Sequence, residues 1–194
     1  MPQLSVREWP VPGARRARLL TMRTGHTASH TIIDSPLGEL TLVAHDGALA
    51  GLYFAEHTRR PPSSTFGVRD ATGFAAATEQ LDEYFRGGRT EFELPLAPRG
   101  DAFQRRVWEL LRRIPYGQTR SYGRLAAELG DPALARAVGA ANGRNPISVI
   151  VPCHRVVGAN GALTGYAGGL TRKQFLLDLE GAATAGQMLL GRLG

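Results

Sequence analysis

The chain has 194 residues, 43% apolar and 21% charged, enough for one domain or two small ones with a real core. Its single cysteine excludes internal disulfides and any cysteine-rich zinc or iron–sulfur site, and suggests a reducing, cytoplasmic setting. No apolar run approaches the roughly 18–20 residues of a membrane span, and the N-terminus lacks the apolar region of a secretory signal. The net charge of +6 is uneven: residues 29–100 hold six arginines and ten acids, whereas residues 101–144 hold eight arginines and four acids. That asymmetry suggests a polyanion partner for the second half, with a solvated basic face as the plain alternative.

Residues 1–28, with Pro2, Pro10, Pro12 and scattered arginines, read as a flexible basic tail. From His30 the period becomes that of strands: His30–Asp34, Glu39–His45 and Ala48–Phe54 form a three-stranded meander, with Asp46-Gly47 as the second turn. Residues 57–70 are a loop. Phe74, Ala77, Leu81, Tyr84 and Phe85 recur at helical spacing, and Gly87-Gly88 ends that helix. Thr90–Leu94 is expected to be another strand, and residues 95–100 a linker to a basic C-terminal domain.

Asp101 and Gln104 form a capping box ahead of a helix whose buried stripe is Phe103, Val107, Leu110, Leu111 and Ile114. Ser121 caps a short helix from Tyr122 to Leu129, and Asp131-Pro132 starts another. The pair has the outline of a helix-turn-helix. Its second helix carries Ala133, Ala135, Ala137 and Gly139 around a lone Arg136, which suits close packing on a backbone or in a narrow minor groove better than reading base edges in a major groove. An alanine-rich packing helix is the alternative. A buried strand, Ile147–Val151, then leads to Cys153. Thr171 with Gln174 makes a second capping box for a helix closed by Glu180-Gly181, and residues 182–194 read as a C-terminal tail.

A cysteine between apolar β-branched runs is either an inert small hydrophobe or a nucleophile. To be nucleophilic it needs a base or cation nearby. His154 and Arg155 follow it directly, but neighbours on a regular strand face opposite ways, so Cys153 and His154 share a site only if the backbone bends. Pro152 makes such a bend reasonable. A histidine base also needs an orienting carboxylate, for which Glu180 is the candidate.

Asn145-Pro146, Val151-Pro152-Cys153-His154-Arg155-Val156, Ser121-Tyr122, Ala135-Arg136-Ala137-Val138-Gly139, Gly165-Tyr166-Ala167-Gly168-Gly169 and Leu179-Glu180, spaced without gaps, resemble the signature of the O6-alkylguanine-DNA alkyltransferases. The resemblance covers residues 101–181, whereas residues 30–94 fit the family's N-terminal domain only loosely. It implies an α/β (α+β) protein: a small antiparallel β-sheet domain with a helix over residues 29–94, ribonuclease H-like, and a mostly helical, winged-helix-like domain over residues 101–181 that holds the helix-turn-helix and the active-site cysteine.

The function it implies is stoichiometric repair, in which Cys153 irreversibly takes the alkyl group from a guanine flipped out of double-stranded DNA, without a cofactor or metal. By the same resemblance His154, oriented by Glu180 and acting through a water, deprotonates Cys153. Tyr122 donates a proton or hydrogen bond to the leaving guanine, and Asn145 braces the turn before the active site. Arg136 fills the gap left by the flipped base. Ser121, Tyr122, Ala135, Gly139 and Arg155 complete the DNA contacts, while Val156, Tyr166, Ala167 and Gly168 form the base pocket and its lid. The protein is expected to be a monomer that could assemble cooperatively on DNA. Ala167 stands where the family often has serine, so a side-chain contact there is lost. The other classes open to this sequence are a lesion sensor or regulator on the same fold and a turnover Cys–His hydrolase.

Overall fold

The computed structural model describes residues 28–182. The basic tail expected over residues 1–28 and the C-terminal tail expected over 182–194 otherwise lie outside the described residues. The two boundary residues belong to the fold: Ala28 opens the first strand, and Ala182 is buried against Val157 and Leu177.

The meander forms as expected, with β1 (Ala28–Ile33), β2 (Leu40–His45) and β3 (Ala48–Phe54) in antiparallel register. Asp46 and Gly47, both at positive φ (51° and 80°), make the hairpin turn whose twist matches the flanking strands. Part of the loop expected over residues 57–70 is a fourth strand, β4 (Val68–Arg69), which pairs parallel with β1 and gives the order β3-β2-β1-β4. At two residues it is too short to leave a periodic signal.

The helix after it, α1 (Ala75–Phe85), buries Ala77, Leu81 and Tyr84, and Gly87 at φ 75° turns the chain out of it. The strand expected at Thr90–Leu94 does not form. The Gln80 side chain accepts from Glu93 N (2.8 Å) and donates to Glu93 O (3.2 Å), taking the backbone groups a ladder would use. Residues 95–100 are no free linker: Leu49 N donates to Pro95 O and Ala97 N to Leu49 O, each at 2.8 Å, and Leu96 is buried. One buried cluster, from Leu37 to Leu176, runs through both halves of the chain.

In the second half, the Asp101–Gln104 capping box starts α2 (Ala102–Arg112), which buries Val107, Trp108 and Leu111. A short strand, β5 (Arg120–Ser121), leads into α3 (Tyr122–Glu128), whose Arg124 amide is capped by the Ser121 hydroxyl. Gly130 at φ 101° turns the chain, and Asp131 caps a 3-10 turn over Pro132–Leu134 that winds into α4 (Ala135–Asn142). The Trp108 indole donates to Ala141 O (2.9 Å) and so pins α4 to α2.

The parallel pair of β5 with β6 (Val156–Val157) sets the helix-turn-helix beside the cysteine. The last helix, α5 (Leu170–Leu179), starts at Gly169, which adopts φ 87°, and not at the expected Thr171–Gln174 box; Gln174 bonds Asp178 instead. Among the described residues no helix is long and apolar enough to cross a membrane.

Candidate active site

The segment expected to be a buried strand, Ile147–Val151, is a tight buried turn with one strand-like contact, Ile147 beside Leu52. Val149 takes φ 70°, costly for a β-branched residue and tolerated only where surroundings enforce it. Asn145 supplies that enforcement. Its Oδ1 accepts from Ile147 N (3.0 Å), and its Nδ2 donates to Val151 O (2.8 Å) and Ile147 O (3.4 Å). Pro152 then directs the chain into a single 3-10 turn, Cys153–Arg155. That turn removes the strand geometry that would have sent Cys153 and His154 to opposite faces, and both are buried, 2% and 0% exposed.

Glu180, at the end of α5, collects the polar groups behind the turn. His154 Nε2 lies 2.9 Å from its Oε1, Arg155 donates Nη2 to Oε1 (2.9 Å) and Nε to Oε2 (2.8 Å), and the Tyr84 hydroxyl donates to Oε1 (2.6 Å). The Gly117 amide reaches Oε2 at 3.4 Å. Burial pushes the Glu180 carboxyl up, but the His154 and Arg155 bonds outweigh it and hold the group well below the ordinary carboxylate range.

An ionised carboxylate only accepts, so His154 carries its proton on Nε2. That leaves Nδ1, buried and unpartnered among the described residues, with a free lone pair. Burial lowers the His154 pKa and the Glu180 contact opposes that. The ring is therefore neutral and fit to take a proton.

Burial also raises the Cys153 thiol, while Asn145, Lys173, its own backbone amide and Ser148 pull it back. Lys173, the chain's one lysine, is fully buried on the same face of α5 as Leu176, Leu177 and Glu180. Its Nζ donates to the carbonyls of Val156 and Thr164, and desolvation lowers its pKa to about 8 against the pull of Cys153. Sequence reading missed Lys173, Tyr84 and Ser148. A lone lysine on the apolar stripe of a helix was a readable signal for the first; nothing in the pattern marked the other two.

Beside the turn, a cleft of about 450 Å³ is lined by Tyr122, Ala135, Gly139, Thr164, Tyr166 and Ala167, among others. It thus brings α3, α4 and the glycine-rich segment together. Tyr122 is fixed there by a bond from the Thr164 hydroxyl (3.1 Å), and its ring faces Gly139. Arg136, Ala137 and Ala140 stand exposed on α4, while Val138 and Ala141 face the core.

The segment Tyr166–Gly168 is held from the N-terminal half. Thr58 donates its amide (3.0 Å) and hydroxyl (3.1 Å) to Ala167 O, and a Cβ on Gly168 would sit 2.5 Å from the Phe54 ring. Val156 is buried, with its carbonyl bonded to Lys173. Arg155 is a correction to the expected DNA contacts: only 6% exposed, it spends its guanidinium on Glu180 and on Ile114 O (2.6 Å). Among the described residues no group of three or more His, Cys, Asp or Glu could hold a metal ion.

Two family models match: 6-O-methylguanine DNA methyltransferase, ribonuclease-like domain, over residues 29–98, and its DNA binding domain over residues 102–182. The chain is 55% identical over 148 residues to a methylated-DNA–protein-cysteine methyltransferase of Mycolicibacterium paratuberculosis, covering 76% of this chain and 89% of that one. It is 46% identical over 153 residues to the protein of the same name from Methanosarcina acetivorans, covering 79% and 98%. The crystal structure of Mycobacterium tuberculosis OGT in complex with DNA is similar at TM-score 0.75 and 53% identity, over 78% of this chain and 92% of that one.

Proposed function

The chain belongs to the 6-O-methylguanine DNA methyltransferase family, and from that premise we propose that it repairs DNA by moving the methyl group of O6-methylguanine in a duplex onto the Sγ of Cys153. The observation that carries this reading is a buried cysteine sharing one turn with a neutral histidine, its Nε2 held by a buried carboxylate, beside a cleft walled by the helix-turn-helix.

In the proposed reaction Nδ1 of His154 takes the thiol proton through one water. The thiolate forms the S–C bond as the C–O6 bond breaks, and the electron pair leaves on the guanine. The Tyr122 hydroxyl donates to the departing ring, which a proton then makes ordinary guanine. No group in this scheme restores the thiol from its thioether, so each chain acts once.

The reacting carbon must reach a buried sulfur, so the base has to leave the duplex and enter the cleft. Arg136, exposed among small residues on α4, takes the place of the missing base, with Ser121, Ala135 and Gly139 against the backbone. Tyr166, Ala167 and Gly168 close over the base, and Val156 lines the pocket floor. Residues 101–181 carry the reacting groups, and residues 29–94 hold them in place through Tyr84 on Glu180 and Thr58 on Ala167. The protein works as a cytoplasmic monomer on alkylated duplex DNA.

Mass spectrometry after incubation with a duplex containing one O6-methylguanine tests the reading. One methyl on the Cys153 peptide, with no second turnover, is expected. An unmodified Cys153 after long incubation, or repeated turnover, overturns it.

A further inference from the structure

A second cleft, of about 330 Å³, opens on the other face of the sheet and is lined by His45, Tyr53, His57, Arg59, Arg99 and Arg144, among others. Among the described residues no carboxylate lines it. Its floor is the small cluster of Val43, Tyr53 and Phe66, with the last two rings stacked at 5.6 Å. The three arginines are exposed around it. Three like charges about one concavity repel one another, and nothing in the lining neutralises them. His57 lines the same cleft; it is only 7% exposed, and its buried Nδ1 has no partner among the described residues.

The position of the cleft indicates its occupant. Arg59 lines this cleft and the base cleft alike, and Gly143, at the base cleft, adjoins Arg144 here, at the end of α4. A polyanion that reaches α4 and passes Arg59 meets this lining next. We propose that the cleft seats a backbone phosphate of the bound DNA, with Arg59, Arg99 and Arg144 as its cations and His57 as a hydrogen-bonding partner, so that the N-terminal half takes a direct part in DNA binding. Arginine forks suit phosphate oxygens, and such contacts position a protein without reading sequence.

The proposal rests on the repair reading, and one experiment separates the two. Duplex affinity is measured against salt for the wild type, Arg99→Gln, Arg144→Gln and the double variant, and methyl transfer to wild-type Cys153 is followed by mass on the same duplex. Each phosphate contact contributes about 0.9 to the slope of log affinity against log salt, so each single variant should lose up to about 0.9 and the double variant more. Arg86→Gln, which removes an exposed arginine paired with Asp82, should keep the wild-type slope. Wild-type slopes in Arg99→Gln and Arg144→Gln overturn the proposal even if methyl transfer proceeds. If inorganic phosphate shifts the His57 ring resonances while the duplex slopes stay unchanged, the cleft holds a free anion and not DNA, which also overturns it. Failure of methyl transfer in the wild type, by contrast, strikes the repair reading.

Discussion

Replacing Glu180 with glutamine tests the buried network most directly. The carboxylate has two hydrogen bonds from Arg155, one from the Tyr84 hydroxyl and one from His154 Nε2, and all these groups are buried. Glutamine keeps one acceptor oxygen but turns an NH2 donor toward donors and leaves the Arg155 guanidinium without a counter-charge. Removing one partner of a buried ion pair costs about 3–5 kcal/mol. That is a large part of the roughly 5–15 kcal/mol by which most domains are stable, and at about 2–4 °C per kcal/mol it lowers Tm by roughly 6–20 °C.

The pH signature follows from the same group. Its pKa in the fold, held down to about 2, lies below the unfolded value of about 4.3, so its contribution is complete above that value and is lost as pH falls toward 2. In Glu180→Gln this part of the acid limb should vanish. Urea unfolding from pH 7 down to pH 3, with single-turnover methyl transfer at pH 7, measures both effects. A stability within about 1 kcal/mol of wild type together with an unchanged transfer rate would refute the reasoning.

Lys173→Met removes a cation that pulls the Cys153 pKa down and frees the Val156 and Thr164 carbonyls. The pH profile of methyl transfer should shift upward and the rate at pH 7 should fall; an unshifted profile refutes the electrostatic role. Arg136→Ala should slow repair of duplex DNA roughly tenfold or more while slowing reaction with the free alkylguanine base little. Equal losses in single-turnover rates on the two substrates would count against its role in the duplex. Methylated protein, isolated after reaction, should unfold at lower urea than the free thiol form by about 1–3 kcal/mol, because the added methyl enters a packed site around a cysteine only 2% exposed. Equal midpoints would show that the pocket has room for it.

The parts legible in the sequence were those written in short-range chemistry. Asp46-Gly47, the Asp101–Gln104 box, the Ser121 cap and Asp131-Pro132 each act within a few residues, and each forms where its residue types demand. What misled was apolar content without context. Ile147–Val151 has the composition of a buried strand, but Asn145 takes its backbone groups and curls it into a turn, a contact that no period reveals. Thr90–Leu94 lost its ladder to the Gln80 amide in the same way. In the site, Cys153, His154 and Glu180 could be named from the chain alone, but their meeting could not. Glu180 reaches His154 across 26 positions and Tyr84 across 96. Arg155 shows the opposite error: a charged residue beside a nucleophile in a basic half reads as a DNA contact, and burial alone reassigns it to the ion pair.

That ion pair explains why a histidine can sit fully buried beside the thiol. Ionised Glu180 would be costly in an apolar interior alone, and Arg155 offsets its charge from one side while His154 and Tyr84 satisfy it from others. Because the arginine balances the charge, the histidine need not be doubly protonated to hold its place, and its Nδ1 has no partner among the described residues. A thiol held up by burial is mostly protonated at neutral pH and so resists adventitious oxidation. For a cysteine that acts once in the proposed reaction, that protection matters as much as speed. In the proposed reaction the proton therefore leaves this quiet thiol for a neutral, oriented acceptor that stands in its own turn of chain.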